Sequence, residues 1–142
     1  MIAQSFLPEF DHEFATLRAH LERVPEDRGD FRPHPKSYSL AQLAGHAAEV
    51  VTWTGVTLNT DELDFGSMEY TPTVMTSREE LLATFDANVS EARETIAGAS
   101  YETMMSMCTM RTGDTVHMTM TKVAVLRSFI FKHMIHQRAQ LG

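Results

Sequence analysis

The sequence predicts an all-α domain: a four-helix bundle with one long crossover connection and a short hairpin or extended lid before the last helix. Three observations carry that expectation. Apolar residues recur at alternating steps of three and four along four separate stretches, two of those stretches open on a capping signature, and a run of two-residue alternation interrupts the helical pattern in one place. A chain of 142 residues suffices for one domain, residues 1–142, with a core of its own.

The first stripe is Leu7, Phe10, Phe14, Leu17, Leu21 and Val24, and Pro25 stops it. "PEDRGDFRPHPKSYS", broken by three prolines and a glycine, reads as a loop. Ser39 and Gln42 then form an S-x-x-Q capping box for a second helix, whose stripe is Leu43, His46, Val50, Trp53 and Thr57. The acidic segment "NTDELDFGSMEYTPTVMT", interrupted by Gly66 and Pro72, reads as the crossover. A third helix begins at Ser77, where "SREE" offers a second capping box with Glu80; its stripe is Leu82, Phe85, Val89, Ala92, Ile96 and Ala99, and it ends near Gly98. In "ETMMSMCTMRTGDTVHMTM", Val116, Met118 and Met120 alternate with Thr115, His117 and Thr119, and "TGD" supplies a turn. The last helix, from about Lys122, turns Val123, Leu126, Ile130, His133, Gln137 and Leu141 inward.

Composition excludes several classes. Hydrophobic and charged fractions of 43% and 22% are ordinary for a folded soluble chain. No apolar run reaches the roughly 20 residues of a membrane-spanning helix, and "MIAQSFLPEFDHEF" turns acidic too early for a secretory signal, so a cytoplasmic protein is expected. The single Cys108 cannot form an internal disulfide. A net charge of −7 with twelve Lys and Arg argues against nucleic acid as a partner.

His46 and His133 both stand where the periodicity calls for a hydrophobe, and a buried imidazole without a partner costs about 1–3 kcal/mol. Two facing helices bring such residues together. A third donor would complete a metal site of three protein ligands and one open position. His136 at i+3 and Gln137 at i+4 are the alternatives: the first supplies an imidazole nitrogen, the second a neutral amide oxygen, a poorer ligand for zinc or nickel. The simpler alternative is a pair of core histidines that hydrogen-bond and bind nothing.

"PHPKSYSLAQLAGHAAEV", followed nearly ninety residues later by "VAVLRSFIFKHMIHQRAQLG", resembles the DinB/YfiT-like metalloenzyme superfamily, whose fourth helix usually reads H-x-x-H-H-R-G-Q-L. The resemblance runs from the first helix to the last residue. It implies a four-helix bundle, often a homodimer, with a divalent metal, commonly nickel or zinc, on one histidine of helix two and an H-x-x-x-H pair of helix four. His46 and His133 match two of those ligands, and Gln137 occupies the position of the third. The usual glycine of "RGQ" is Ala139, and the sequence ends where family members commonly run on. The implied activity is metal-dependent: transfer of a low-molecular-weight thiol to a small-molecule electrophile, a thiol-dependent isomerisation, or a hydrolysis. With glutamine at the third position, the metal is expected to be weakly held or absent. The rival class is a small-ligand-binding or interaction protein that keeps the bundle without the chemistry.

Four further features carry alternatives. Glu49, one turn from His46, is a candidate general base or orienter of a metal-bound water, or else a solvated or ion-paired carboxylate. Arg138 matches the arginine of the family motif and would bind a substrate anion or a carboxylate across the bundle, or complement the helix C-terminus. His34 and Lys36 match "RPHPKS" of one family branch and would reach the mouth of the site, or merely sit in a proline-fixed turn. The methionines between Met104 and Met120, with Cys108 and His117 among them, read as an apolar lid or dimer contact, with a soft Cu(I) site as the alternative.

Overall fold

In the computed structural model, which describes residues 2–69, 71 and 73–142, the alternating stripes become helices. Helix α1 (Ile2–Leu21) starts ahead of the expected Leu7, runs through Pro8, and buries Phe6, Phe10, Phe14, Leu17 and Leu21 on one face. The capping box forms at the start of α2 (Leu40–Glu49): the Ser39 hydroxyl accepts from the Gln42 amide, and the Ser39 amide donates to Gln42 Oε1 at 2.9 Å. A short 3-10 turn, Val50–Thr52, joins α2 to α3 (Trp53–Asn59). The deepest face of this pair is Ala44, Ala47, Ala48, Val51, Thr54 and Leu58, whereas Leu43, His46 and Trp53 are only half-buried. Of the expected stripe, Val50 and Thr57 are buried, and Leu43, His46 and Trp53 lie at the border of the core, beside the small alanine face that packs against α4.

Within the crossover lies a strand, β1 (Glu62–Asp64). Helix α4 (Arg78–Gly98) follows, its Ser77 cap accepting from the Glu80 amide, while the Glu80 carboxylate takes the Thr76 hydroxyl instead of closing the expected box. After the short α5 (Tyr101–Met105), the expected hairpin forms from β2 (Met107–Thr112) and β3 (Thr115–Thr121), with Gly113 at φ 55° in the turn, where a left-handed backbone favours glycine. β1 adds to β2 in parallel, giving a sheet of order β1-β2-β3. The fold is thus mostly helical with a small sheet, in which β1 is a strand beyond the expected hairpin. A three-residue strand is too short to show a period in the sequence; what holds it is Leu63, fully buried, and Arg111, which reaches Glu62 at 3.1 Å and Asp64 at 3.0 Å.

The last helix is not uniform. It opens as α6 (Lys122–Val125), widens into a π-helical turn over Leu126–Phe131, and continues as α7 (Lys132–Leu141). The Lys132 amide donates to the Arg127 carbonyl, five residues back. Helices α1 and α2 each pack against both α4 and α7. At the centre, the Phe131 ring lies 4.7, 5.9 and 5.7 Å from those of Phe6, Phe10 and Phe14, and Phe85 joins through Phe14 at 6.3 Å. Burying each such ring is worth about 1.5–3 kcal/mol, which makes this cluster the main adhesive of the helices. A second cluster, Leu63, Cys108, Met110 and Val125, fastens the sheet to α6.

The methionines divide between core and surface: Met104 and Met110 are buried, Met105, Met107 and Met118 exposed, with Cys108 fully buried. Among the described residues no helix is long and apolar enough to cross a membrane.

The crossover is seated on α2 at one glycine. The Met75 amide donates to the Ala41 carbonyl at 3.1 Å, and a Cβ added at Gly45 would stand 1.9 Å from the Thr73 carbonyl oxygen. In a helix Gly→Ala ordinarily stabilises by about 1 kcal/mol, but here the backbone of the crossover must move. Gly45→Ala is expected to lower stability by about 1–3 kcal/mol in urea unfolding. Gly55→Ala, in α3 with nothing within 4 Å of the added atom, is the control and should be neutral or stabilising; equal effects at both positions would refute the assignment.

Candidate metal centre

Helix α2 carries His46 and α7 carries His133 and Gln137, and the contact of these two helices brings the three side chains to one point. His46 Nε2 lies 2.9 Å from His133 Nε2, and the Gln137 amide nitrogen lies 3.2 Å from the same atom. The ring of Tyr38 stands 6.0 Å from that of His46, and the ring of Phe129, in the π turn, 6.3 Å from that of His133. Gln137 is buried, and its Oε1 has no hydrogen-bond partner among the described residues.

A neutral imidazole nitrogen offers one lone pair or one N–H, so it can make one good hydrogen bond. His133 Nε2 faces two polar groups, and the Gln137 carbonyl is left over. Rotating the amide by 180° exchanges its oxygen and nitrogen and brings an acceptor to the centre, but the ring nitrogen remains over-subscribed. Three lone pairs around one cation would satisfy all of them. At 2.9 Å the two ring nitrogens are close enough to face one ion. The residues present therefore fit a divalent ion held by two imidazoles and one amide oxygen.

Both imidazoles are kept neutral, the form a metal requires. Burial lowers the His46 pKa below its ordinary value, helped by His133; burial likewise lowers that of His133, helped by His136.

The other sequence candidates lie outside this trio. His136 is exposed. Arg138 donates to the Glu13 carboxylate at 2.5 Å and ties α7 to α1. The half-buried Glu49 accepts from the Thr73 hydroxyl and lines a small cavity of about 80 Å³ between α2 and the crossover, with Gly45, Thr76 and Glu80. His34 and Lys36 are exposed, the Lys36 amide donating to His34 Nδ1 at 3.1 Å within the proline turn. Among the described residues, no group of three His, Cys, Asp or Glu side chains could hold a metal ion. Tyr38 and Phe129 escaped the sequence reading. Tyr38 sits in a loop with no periodicity, whereas Phe129, one turn before His133 on the last helix, could have been found from that i, i+4 spacing.

A model of the DinB superfamily matches residues 9–141. The chain belongs to the DinB superfamily. No curated protein matches it. The matched span takes in α1 from Glu9 on, the His46 helix, the crossover, the sheet and the helix of His133 and Gln137, so the trio lies on elements that belong to the DinB region.

The lowered histidine pKa values fix a pH dependence. The unfolded chain takes up protons near the ordinary value of 6.5 and the folded chain resists them, so this stability is present above that pH and is lost as pH falls below it. The urea midpoint of metal-free protein is expected to fall from about pH 7.5 to about pH 5.5, with a flatter profile in the His46→Gln/His133→Gln double variant. Equal slopes in the two proteins would contradict it.

Proposed function

We propose that this DinB protein is a metal-dependent enzyme built on a four-helix bundle of α1, the α2–α3 helix, α4 and the last helix, with a low-affinity divalent-metal centre at His46, His133 and Gln137. The over-subscribed His133 Nε2 carries this reading: 2.9 Å from one nitrogen donor and 3.2 Å from another, beside an orphaned buried oxygen. Nickel or zinc is the ion implied by the family resemblance. When bound, such an ion supplies Lewis acidity that stabilises a thiolate or hydroxide, which suits a thiol transferase or a hydrolase.

The chain's own residues have separable tasks. His46 and His133 present neutral nitrogens, and Gln137 contributes a neutral oxygen, which lowers affinity relative to a third imidazole. The Tyr38 ring stands beside His46 and the Phe129 ring beside His133. Arg138 acts through Glu13 as a positioning residue that fixes α7, and thereby Gln137, against α1. The contact of Glu49 with Thr73 favours a role in seating the crossover over proton transfer. A small-molecule substrate, with a low-molecular-weight thiol as co-substrate, a cytoplasmic location and a homodimeric assembly complete the proposal. The second reading, a ligand-binding protein without metal chemistry, is favoured by one observation: the trio also forms hydrogen bonds with itself.

Calorimetric titration of chelator-free protein with Zn²⁺ and Ni²⁺ tests the assignment. Weak binding is expected, lost in His46→Ala and tightened by about tenfold or more in Gln137→His. Binding unaffected by His46→Ala would refute the site; tight stoichiometric metal in the parent would refute the low affinity. Binding by neither the parent nor Gln137→His would establish the second reading.

A further inference from the structure

Beside the histidine pair, a cleft of about 520 Å³ opens between the proline-bounded loop, the first turn of α2 and the end of α7. Its walls include Phe31, Tyr38, Leu40, Leu43, Gln137 and Gln140. Gln137 belongs to both the cleft and the trio, and the Tyr38 ring forms the boundary with His46 at 6.0 Å. From these walls we infer that the cleft binds a neutral, flat apolar molecule, an aromatic compound with one or two hydrogen-bonding groups, and holds it against the metal centre.

The volume falls within the range of pockets that take a single small molecule. None of the side chains lining it is ionised, so a charged ligand would give up hydration without gaining a partner. Phe31 and Tyr38 are 57% and 43% exposed, a large apolar area left uncovered beside a formed cavity. Pro33 and Pro35 restrict the backbone that carries these rings, and Arg32 donates to the Ser37 carbonyl at 2.5 Å across the same turn, so little ordering remains to be done on binding. Flat aromatic ligands gain offset or edge contacts with such rings. The amides of Gln137 and Gln140 and the Tyr38 hydroxyl supply the polar contacts that would orient the ligand. A charged thiol finds no ionic partner here, which assigns the cleft to the apolar substrate and leaves the thiol to approach from elsewhere. The role of the bound molecule as substrate rests on the proposed metal-centred function; occupancy of the cleft does not.

The test uses metal-free full-length protein and the neutral fluorescent probe N-phenyl-1-naphthylamine. One saturable site is expected, with affinity reduced about tenfold or more in Leu43→Trp and in the exposed, fold-sparing Gln140→Trp. Met118→Lys, in the separate sheet cleft of Phe65, Met118 and Phe129, should leave binding intact. Neutral 2-naphthol should displace the probe at a concentration about tenfold or more below that needed for 2-naphthoate. Equal displacement by the two, retention of binding in Gln140→Trp, or loss in Met118→Lys alone would overturn the assignment. Zn²⁺ and Ni²⁺ titrations of the same preparations separate the two ideas. Probe binding without metal binding sinks the metal-centred function and spares the cleft; metal binding without probe binding does the reverse.

Discussion

The last helix gains a residue between Leu126 and Phe131, where the Lys132 amide reaches five residues back to Arg127, and the core and the site both depend on that turn. One extra residue rotates everything downstream by about 100° about the helix axis. Leu126, Ile130 and Phe131 can then all be buried, with Phe131 placed among the three phenylalanines of α1. Beyond it, Met134 enters the core and His133 and Gln137 turn toward α2. A π turn is intrinsically unfavourable, and the aromatic burial offsets it. Removing the extra residue would take Phe131 from its cluster and His133 from His46 together. The hydrophobic core is in this sense the scaffold that aims the candidate ligands.

The opposite wall is set by small residues. Ala44, Ala47 and Ala48 let α2 lie close to α4, and Gly45 lets the crossover backbone cross α2 at van der Waals range. His46 is left at the edge of the core, neither in solvent nor enclosed, beside the loop that bears Tyr38. The far side of the molecule is fastened by polar contacts. Lys122, nearly fully buried, donates to the Leu58 carbonyl at 3.2 Å and meets Asp61 at 3.1 Å, joining the start of the last helix to the end of α3. Asp64 accepts from the Gly66 and Gly113 amides, both at 3.0 Å, and closes β1 onto the hairpin turn. The Lys122 contacts hold the start of the π turn's helix against the body of the fold, and the Arg138–Glu13 pair holds its end.

Glutamine at position 137 gives the centre a double character. An imidazole there would add a stronger donor; an amide adds an oxygen that binds cations weakly and a nitrogen that can hydrogen-bond to His133. The same three side chains hydrogen-bond among themselves, and under the proposed function they would close on an ion instead. The neutral walls of the adjoining cleft are consistent with either state, since no fixed charge in them favours an ion or repels one.

The sequence by itself determined the helices, the capping box at Ser39, the hairpin and the pairing of His46 with His133 as inward residues of facing helices, because periodicity and caps are local and repeat over several turns. It also carried the family, through a motif that surrounds those histidines. Tertiary structure alone decided the rest. β1 is three residues long and exists because β2 and Arg111 are there to pair with it. The half-burial of His46 follows from alanine packing against another helix. The depth at which Gln137 is buried follows from the contact of α7 with α1 and α2. Such features arise from contacts between residues far apart in the chain, which no period along the sequence records.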